Sequence, residues 1–310
     1  MNEKQPDLSI KLGPLKLKNP VLAASGTFGY GKEFSHFVDL NLLGGIIVKG
    51  ISLKPMAGNP PPRIVETPCG MLNAIGLANV GLDIFLKEKL PWLQKLKTAV
   101  IVNIYGHSID EYGAVAAGLK GVEGISAIEV NISCPNVEKG GMAFGTDPQV
   151  SARVTELVLK NSDKPVIVKL SPNVTDIKAV AAAVEKAGAH AISLINTLTG
   201  MAIDIDERIP KLANVSGGLS GPAIRPVALF MVYHVVRTVQ IPVIGIGGIM
   251  DYRDTLEFLI AGAQAIQVGT ANFINKKATL DIIEGLGSFC KDQDIERIEE
   301  IIGTLKTAKS

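Results

Sequence analysis

Short apolar runs rich in valine and isoleucine recur along the chain, and polar or small residues close each of them. Runs of this length are typical of strands that are buried on both faces of a parallel sheet. A stretch in which apolar residues recur with helical spacing follows each run. We therefore predict eight strands, at residues 20–26, 44–50, 99–106, 126–134, 165–172, 191–197, 241–248 and 265–271.

The order of these elements favours one fold class. Eight strand-and-helix units in 310 residues predict an α/β fold, the (β/α)8 TIM barrel, since a doubly wound sheet rarely needs so many strands. No linker or change of composition divides the chain, so we expect a single domain over residues 1–310. Residues 8–21 alternate apolar and polar positions around Gly13-Pro14, which predicts an N-terminal β-hairpin at the N-terminal mouth of the barrel.

Two connections between the predicted strands are too long for plain loops. They cover residues 51–78 and 198–222, and long ordered loops at the C-terminal face of a barrel commonly carry function. The clearest helical pattern follows Thr175, which we expect to cap the N-terminus of that helix. Gly188 is expected to end it.

Composition narrows the function classes. Hydrophobic residues make up 47% of the chain, which excludes a disordered protein. With 31 Lys and Arg against 30 Asp and Glu, the net charge of +1 gives no field to attract nucleic acid or an anionic membrane.

The three cysteines lie far apart without a CxxC pair, so we expect no disulfide framework, no metal site and a reducing, cytoplasmic location. Neither a signal peptide nor a membrane span is expected.

In a TIM barrel the chemistry lies at the C-terminal ends of the strands, and here those ends carry polar residues and glycines. Glycines at 245, 247, 248 and 269 let backbone N–H groups approach a phosphate, although tight turns need glycine too. Lys49 and Lys169 can pair with a substrate carboxylate or with negative charge on a reduced cofactor. A solvated strand-end charge and a Schiff-base lysine are the alternatives for these two residues.

Four asparagines, Asn73, Asn131, Asn136 and Asn196, are hard to explain as core residues, because each buried amide needs several hydrogen-bond partners. A flat ligand ring with alternating N–H and C=O groups would satisfy them. Any one of them alone could instead cap a turn or a strand end.

Cys134 follows the fourth predicted strand and precedes Pro135 and a glycine-rich stretch at 140–145, which is a candidate lid. No histidine lies nearby in sequence, so a protease-like Cys–His pair is not indicated. Among the strand-end residues, its thiol is the proton acceptor whose reference pKa, about 8.5, is within reach of neutral pH. Cys134 is therefore the candidate general base, with a small core residue as the alternative, whereas Cys69 and Cys290 are expected to be structural.

Several motifs occur together at the strand ends and in the two long connections. They are Asn131-Ile-Ser-Cys134-Pro-Asn136, Leu72-Asn73-Ala-Ile-Gly76-Leu77, Lys169-Leu-Ser-Pro172, Ile195-Asn196-Thr197, Gly217-Gly-Leu-Ser-Gly221-Pro and the glycine pair at 247 and 248. In this combination, from about Leu8 to the C-terminus, the chain resembles the dihydroorotate dehydrogenases. That family consists of FMN-containing TIM-barrel enzymes that oxidise dihydroorotate to orotate in pyrimidine biosynthesis.

The resemblance implies a role for each site residue. Cys134 would remove the C5 proton while hydride leaves C6 for FMN, and Lys169 would be the second catalytic residue. The residues implied to bind substrate are Lys49, Asn73, Ala74, Ile75, Gly76, Leu77, Asn131, Asn136, Asn196 and Thr197. Those implied to bind FMN are Ser25, Lys49, Gly50, Asn103, Asn131, Lys169, Ile195 and Gly221, with the phosphate on Gly247, Gly248, Gly269 and Thr270.

The resemblance also implies a subclass and partners. A cysteine at position 134 and the continuation to residue 145 are similar to the cytosolic, NAD-linked subclass, type 1B. Electrons would then leave through an iron–sulfur partner subunit that carries FAD and a [2Fe–2S] cluster, joined to a homodimer of this chain in a heterotetramer. The alternatives are a fumarate-linked type 1A enzyme, the reductase domain of a dihydropyrimidine dehydrogenase, and a non-catalytic barrel that binds FMN or another phosphate ligand.

Overall fold

The computed structural model describes residues 5–133 and 144–307 of the chain. The strands in these ranges are β1 (Ile10–Leu12), β2 (Leu15–Leu17), β3 (Val21–Ala23), β4 (Gly45–Ile51), β5 (Ile64–Thr67), β6 (Gly70–Asn73), β7 (Ala99–Ile104), β8 (Ala127–Asn131), β9 (Val166–Lys169), β10 (Ala191–Leu194), β11 (Leu198–Met201), β12 (Ile203–Asp204), β13 (Ile209–Pro210), β14 (Ser216–Ser220), β15 (Val243–Ile246) and β16 (Ala265–Val268). The α-helices are α1 (Gly81–Ile84), α2 (Leu90–Leu93), α3 (Ile109–Leu119), α4 (Pro148–Asn161), α5 (Ile177–Lys186), α6 (Arg225–Val236), α7 (Tyr252–Ala261), α8 (Ala271–Ile274) and α9 (Ala278–Asp292).

Eight strands close into a parallel barrel, in the order β10-β15-β16-β3-β4-β7-β8-β9. Each lies within or overlaps one of the eight predicted strands, so the predicted TIM barrel is confirmed. Most of the observed strands end earlier than predicted, for example β9 at Lys169 and β10 at Leu194. The residues that follow, such as Ser171 and Asn196, leave the ladder and line a cavity at the C-terminal end of the barrel.

The barrel strands are buried on both faces. β9, β10, β15 and β16 are four residues long, and every residue in them is buried. Helices cover the outside of the barrel, as with α4, whose Val154 and Val158 are fully buried, and α5, whose Val184 is fully buried. Burial from both sides explains why these strands appear in the sequence as continuous apolar runs.

The predicted N-terminal hairpin consists of β1 and β2, which pair antiparallel with Leu12 opposite Leu15. Gly13, at the turn, has φ +56° and lies against the carbonyl group of His190, immediately before β10. The hairpin therefore covers the N-terminal end of the barrel, as predicted, and leaves the C-terminal end open for a site.

The helix predicted after Thr175 is α5, and its buried residues form the expected apolar stripe. Its N-cap is Asp176, whose carboxylate accepts a hydrogen bond from the backbone N–H of Lys178 at 3.0 Å. The predicted Thr175 cap is wrong, because Asp176 is the residue that adjoins the first turn. Gly188 follows the helix with φ +99°.

Across residues 5–133 and 144–307, no helix is long and apolar enough to cross a membrane.

The two long connections form a second, antiparallel sheet over the C-terminal end of the barrel, in the order β11-β14-β6-β5. We call this sheet the cap sheet. Its central pairing joins the two connections, with Asn73 on β6 opposite Gly218 on β14. The sequence predicted long ordered segments here but no strands. Leu72 of β6 forms a small buried apolar cluster with Ala74 and Leu212.

Candidate active site

A cavity of about 710 Å³ lies between the C-terminal ends of the barrel strands and the cap sheet. All the predicted site residues that the structure describes line it. They are Ser25, Lys49, Gly50, Asn73, Ala74, Ile75, Gly76, Leu77, Asn103, Asn131, Lys169, Ile195, Asn196, Thr197, Gly221, Gly247, Gly248, Gly269 and Thr270. Cys134 and Asn136, and the candidate lid up to residue 143, lie outside the described residues.

The charge of the lining is one-sided. Lys49, Arg63 and Lys169 line the cavity, and no Asp or Glu does so within the described ranges. A partly enclosed space with three cations and no carboxylate attracts anions, because charges interact more strongly where water is displaced. Arg63 comes from the connection before β5 and was missed by the sequence analysis, since nothing in its local sequence distinguishes it from a surface arginine.

The two lysines occupy different environments. Lys169 ends β9, is 5% exposed, and its Nζ donates to Ser25 Oγ at 3.4 Å. Lys49 lies near the end of β4 and is half-buried. Burial, and then the like charge of Arg63, lowers the pKa of Lys49 below its ordinary value, while Glu33 acts in the opposite direction.

The asparagines reach the cavity from both sides. On the barrel side, Asn196 Nδ2 donates to Asn131 Oδ1 at 3.3 Å, and Tyr112 holds the backbone of Asn131 with a 2.7 Å hydrogen bond from its hydroxyl to the carbonyl oxygen. On the cap side, Asn73 Nδ2 donates to the carbonyl oxygen of Gly218 at 3.2 Å. Three of the four predicted asparagines thus share one cavity and leave polar atoms available to a flat, polar ligand.

The ends of β15 and β16 form a different part of the wall. Gly247 and Gly248 have φ +129° and +72°, and Arg225 at the start of α6 packs so closely that a Cβ at Gly248 would lie 2.8 Å from its backbone nitrogen. In the described part of the chain, the N–H groups of Gly247, Gly248 and Thr270 donate to no acceptor. Free N–H groups beside a cavity suit a phosphate.

The cap sheet and the barrel meet at this wall, where Thr270 Oγ1 donates to Ser220 Oγ at 2.9 Å. Strands β6 and β14 and helix α8 add lining residues that the sequence did not single out, namely Met71, Ser216 and Phe273. The signal that pointed to this region was the Gly217-to-Gly221 motif rather than any of these side chains.

Comparison with known proteins decides the family. The family model described as dihydroorotate dehydrogenase matches residues 7–290. The chain belongs to the dihydroorotate dehydrogenase family. This confirms the resemblance that the strand-end motifs indicate, and the closed eight-stranded barrel agrees with it.

Proteins similar to this chain match it over almost its whole length. A protein of Citrifermentans bemidjiense is 58% identical over 303 residues, which cover 98% of this chain and 99% of that one. Proteins of Geotalea daltonii (57% identical) and Thermoanaerobacter sp. strain X514 (55% identical) each cover 97% of this chain and 99% of their own. All three are named "Dihydroorotate dehydrogenase B (NAD(+)), catalytic subunit".

Proposed function

We propose that this chain oxidises dihydroorotate to orotate with FMN as its cofactor and passes the electrons to NAD through a partner subunit. The observation that carries the proposal is the cavity at the strand ends, in a chain that belongs to this family. Three cationic side chains, three asparagines and the glycines that follow β15 and β16 line this one cavity. The volume, about 710 Å³, is in the usual range of small-molecule and cofactor sites.

The lining fits FMN. The free N–H groups of Gly247, Gly248 and Thr270 suit its phosphate, and the absence of Asp and Glu from the described lining avoids repulsion of that dianion. Lys169, nearly buried beside Ser25, would hold positive charge next to the flavin ring. Bound FMN supplies a hydride acceptor, which no amino-acid side chain can provide.

The chain's own residues would bind substrate and move its proton. Lys49 would pair with the substrate carboxylate, and the amides of Asn73, Asn131 and Asn196 would hydrogen-bond the pyrimidine ring. Because these groups come from both the barrel and the cap sheet, the substrate would be held across the cavity, against the flavin. Cys134, next in sequence to the lining residue Ser133, would take the C5 proton as general base.

The decisive experiment is a visible spectrum of the purified chain with and without dihydroorotate under argon. We expect a yellow protein with one FMN per chain that dihydroorotate bleaches in the absence of oxygen. A protein that binds FMN but is not bleached would favour a non-catalytic barrel. A colourless chain that cannot be reconstituted with FMN would contradict the proposal altogether.

The partner is proposed from the relatives' names, which call them catalytic subunits of NAD-linked enzymes. This chain has no dinucleotide fingerprint and no cysteine cluster able to hold an iron–sulfur centre. We infer a second subunit with FAD and a [2Fe–2S] cluster, in a heterotetramer with a homodimer of this chain. The isolated chain should reduce a dye with dihydroorotate but leave NAD untouched, and the partner should restore NADH formation. Comparable fumarate reduction without a partner would indicate type 1A instead.

A further inference from the structure

The interior of the barrel, beneath the cavity, holds a carboxyl group that the proposed chemistry does not use. Glu129 lies in the middle of β8 and is fully buried. Its Oε2 accepts a hydrogen bond from Asn103 Nδ2 at 2.9 Å, and its Oε1 accepts from Ser193 Oγ at 3.0 Å and from Gln267 Nε2 at 2.7 Å. One side chain thus connects strands β7, β10 and β16 through the centre of the barrel.

A contribution to the stability of the fold does not by itself explain why a carboxyl group occupies this position. Within residues 5–133 and 144–307, Glu129 forms no ion pair with a lysine or arginine. A buried carboxyl group loses its hydration, and an apolar side chain of similar volume is often at least as stabilising at such a position. The neighbouring positions of β8 and β9 are filled by isoleucine and valine. A different benefit is therefore needed to explain the glutamate.

That benefit is the orientation of the two amides. Carboxylate oxygens accept hydrogen bonds, so Asn103 and Gln267 must each turn their NH2 ends towards Glu129. For Gln267 this leaves Oε1 buried without any partner, an unfavourable arrangement. The hydrogen bond to Glu129 thus dominates the choice of amide orientation even where the other end of the amide is left unsatisfied.

The same constraint has a useful result at Asn103, because Asn103 lines the cavity and Gln267 does not. With Nδ2 held by Glu129, the amide oxygen lies on the other side, against Gly50, where a Cβ atom would come within 2.6 Å of it. No donor in the described part of the chain bonds to this oxygen. The cavity wall therefore presents a fixed hydrogen-bond acceptor.

We propose that Glu129 is a positioning residue that holds the Asn103 amide with its oxygen towards the cavity and so provides an acceptor for a ring N–H group of FMN. The inference rests on the proposed FMN site. The pyrimidine portion of the flavin ring carries one N–H flanked by two carbonyl groups. A fixed amide oxygen attracts the N–H and repels the carbonyls, whereas a rotated amide would do the reverse.

A double-mutant cycle tests the coupling between Glu129 and Asn103. Apoprotein of the parental chain, Glu129→Gln, Asn103→Ala and the double variant is titrated with FMN, and quenching of FMN fluorescence gives the dissociation constants. A glutamine at 129 can donate as well as accept, so it no longer fixes Asn103. We expect either single substitution to weaken FMN binding about 10-fold, the size of one lost hydrogen bond, and the double variant to bind no more weakly than Asn103→Ala.

Ser193→Ala is the matched control. It removes another hydrogen bond from the same carboxyl group, but Ser193 does not line the cavity. We expect it to lower the melting temperature of the apoprotein while FMN affinity stays within about two-fold of the parental value. A general loss of barrel order would weaken FMN binding in Ser193→Ala as much as in Glu129→Gln, and that result would overturn the inference.

Two further outcomes would also overturn it: unchanged FMN affinity in Glu129→Gln, or a Glu129→Gln effect that is equally large when Asn103 is alanine. Should far-UV circular dichroism show that Glu129→Gln does not fold, Glu129→Met takes its place in the cycle, since methionine has similar length and accepts no strong hydrogen bond. A parental chain that binds no FMN would overturn the proposed function and this inference with it. Additive effects in a chain that binds FMN would overturn this inference alone.

Discussion

The barrel and the cap sheet enclose the same cavity, yet they are built on different principles. In the barrel strands β9, β10, β15 and β16 every residue is buried, and helices outside and side chains inside fix the position of each strand. In the cap sheet, β5 and β11 alternate exposed and half-buried residues, and all five residues of β14 are half-buried. The cap sheet is therefore held together by backbone hydrogen bonds between closely spaced strands rather than by a large apolar core.

This difference suggests a division of roles. The barrel offers a rigid frame for groups that must be placed accurately, such as Lys169 and Asn131 at the ends of β9 and β8. The cap sheet contributes Asn73 and the segment that follows it, which complete the enclosure of the cavity. Changes at the groups proposed to carry out the reaction, Cys134 and Lys169, should mainly alter the rate of the chemical step, whereas changes in the cap sheet should mainly alter substrate affinity.

The largest effect is expected for the proposed general base, and it concerns the rate of the chemical step. Cys134→Ser should slow anaerobic reduction of the flavin by dihydroorotate roughly 10²- to 10⁴-fold near neutral pH, because a serine hydroxyl is a far weaker base, while orotate affinity stays close to the parental value. Stopped-flow absorbance gives the rate, and activity of the parental enzyme should rise on the alkaline side as the thiolate forms.

Cys69→Ser is the matched control for this substitution. Cys69 is exposed and lies in the turn between β5 and β6 of the cap sheet. We expect it to leave the rate of flavin reduction unchanged. Parental rates in Cys134→Ala would contradict the assignment of Cys134 as the base.

The next effect is expected in the cap sheet. A Cβ at Gly217 would lie 2.6 Å from the carbonyl oxygen of Asn73, so Gly217→Ala must push β14 away from β6 and displace Asn73. We expect the KM for dihydroorotate to rise about 10-fold, which corresponds to about 1.4 kcal/mol, with an unchanged ratio of FMN to protein by absorbance.

Gly287→Ala provides the comparison for Gly217→Ala. Gly287 lies in α9, and a Cβ there meets nothing within 4 Å. Its KM should be parental and its melting temperature equal or higher, because alanine favours a helix. If Gly217→Ala lowered the rate of flavin reduction and left KM unchanged, the division between barrel and cap sheet would be wrong.

The same contrast explains what the sequence could predict. Barrel strands are continuous apolar runs whose neighbours follow in sequence order, so their number and order were predictable. Strands such as β14, Ser216–Ser220, are glycine-rich and have no apolar period, and the pairing of Asn73 with Gly218 joins distant parts of the chain. The sequence therefore predicted long segments there but not a sheet.

Site residues show a similar limit. Those at strand ends were predictable, since a parallel barrel brings its strand ends together. Arg63 was missed because its place at the cavity depends on how the cap sheet folds back over the barrel. The carboxyl group of Glu129 was missed because it lies within an apolar strand, and its partners Asn103, Ser193 and Gln267 come from three other strands.

A smaller effect is expected where the barrel holds the segment that follows the cap strand β6. The hydroxyl group of Tyr105 donates to the carbonyl oxygen of Leu77 at 2.8 Å and accepts a hydrogen bond from Asn79 Nδ2 at 2.6 Å. Leu77 has φ +58°, a conformation that an anchored carbonyl group helps to maintain. Tyr105→Phe should raise the KM for dihydroorotate about three-fold and lower the free energy of unfolding by about 1 kcal/mol.

Tyr252→Phe serves as the control for this hydroxyl deletion, since Tyr252 lies on α7 and does not line the cavity. Its KM should equal the parental value. Equal KM values in Tyr105→Phe and Tyr252→Phe would show that the anchored Leu77 segment does not influence substrate binding.

The smallest effect concerns the junction itself, where Lys49 of the barrel and Arg63 of the connection that leads into the cap sheet line the same cavity. Protonated Lys49 would bind the substrate carboxylate, so orotate affinity should fall as pH rises through the pKa of Lys49, which burial and Arg63 hold below its ordinary value. Arg63→Gln removes a like charge and raises that pKa, so the alkaline loss of affinity should move to higher pH. Glu33→Gln removes an opposite charge and should move it to lower pH. Orotate dissociation constants measured from about pH 7 to about pH 10 follow both shifts. Shifts in the same direction in both variants would mean that the charge of Lys49 does not control orotate binding.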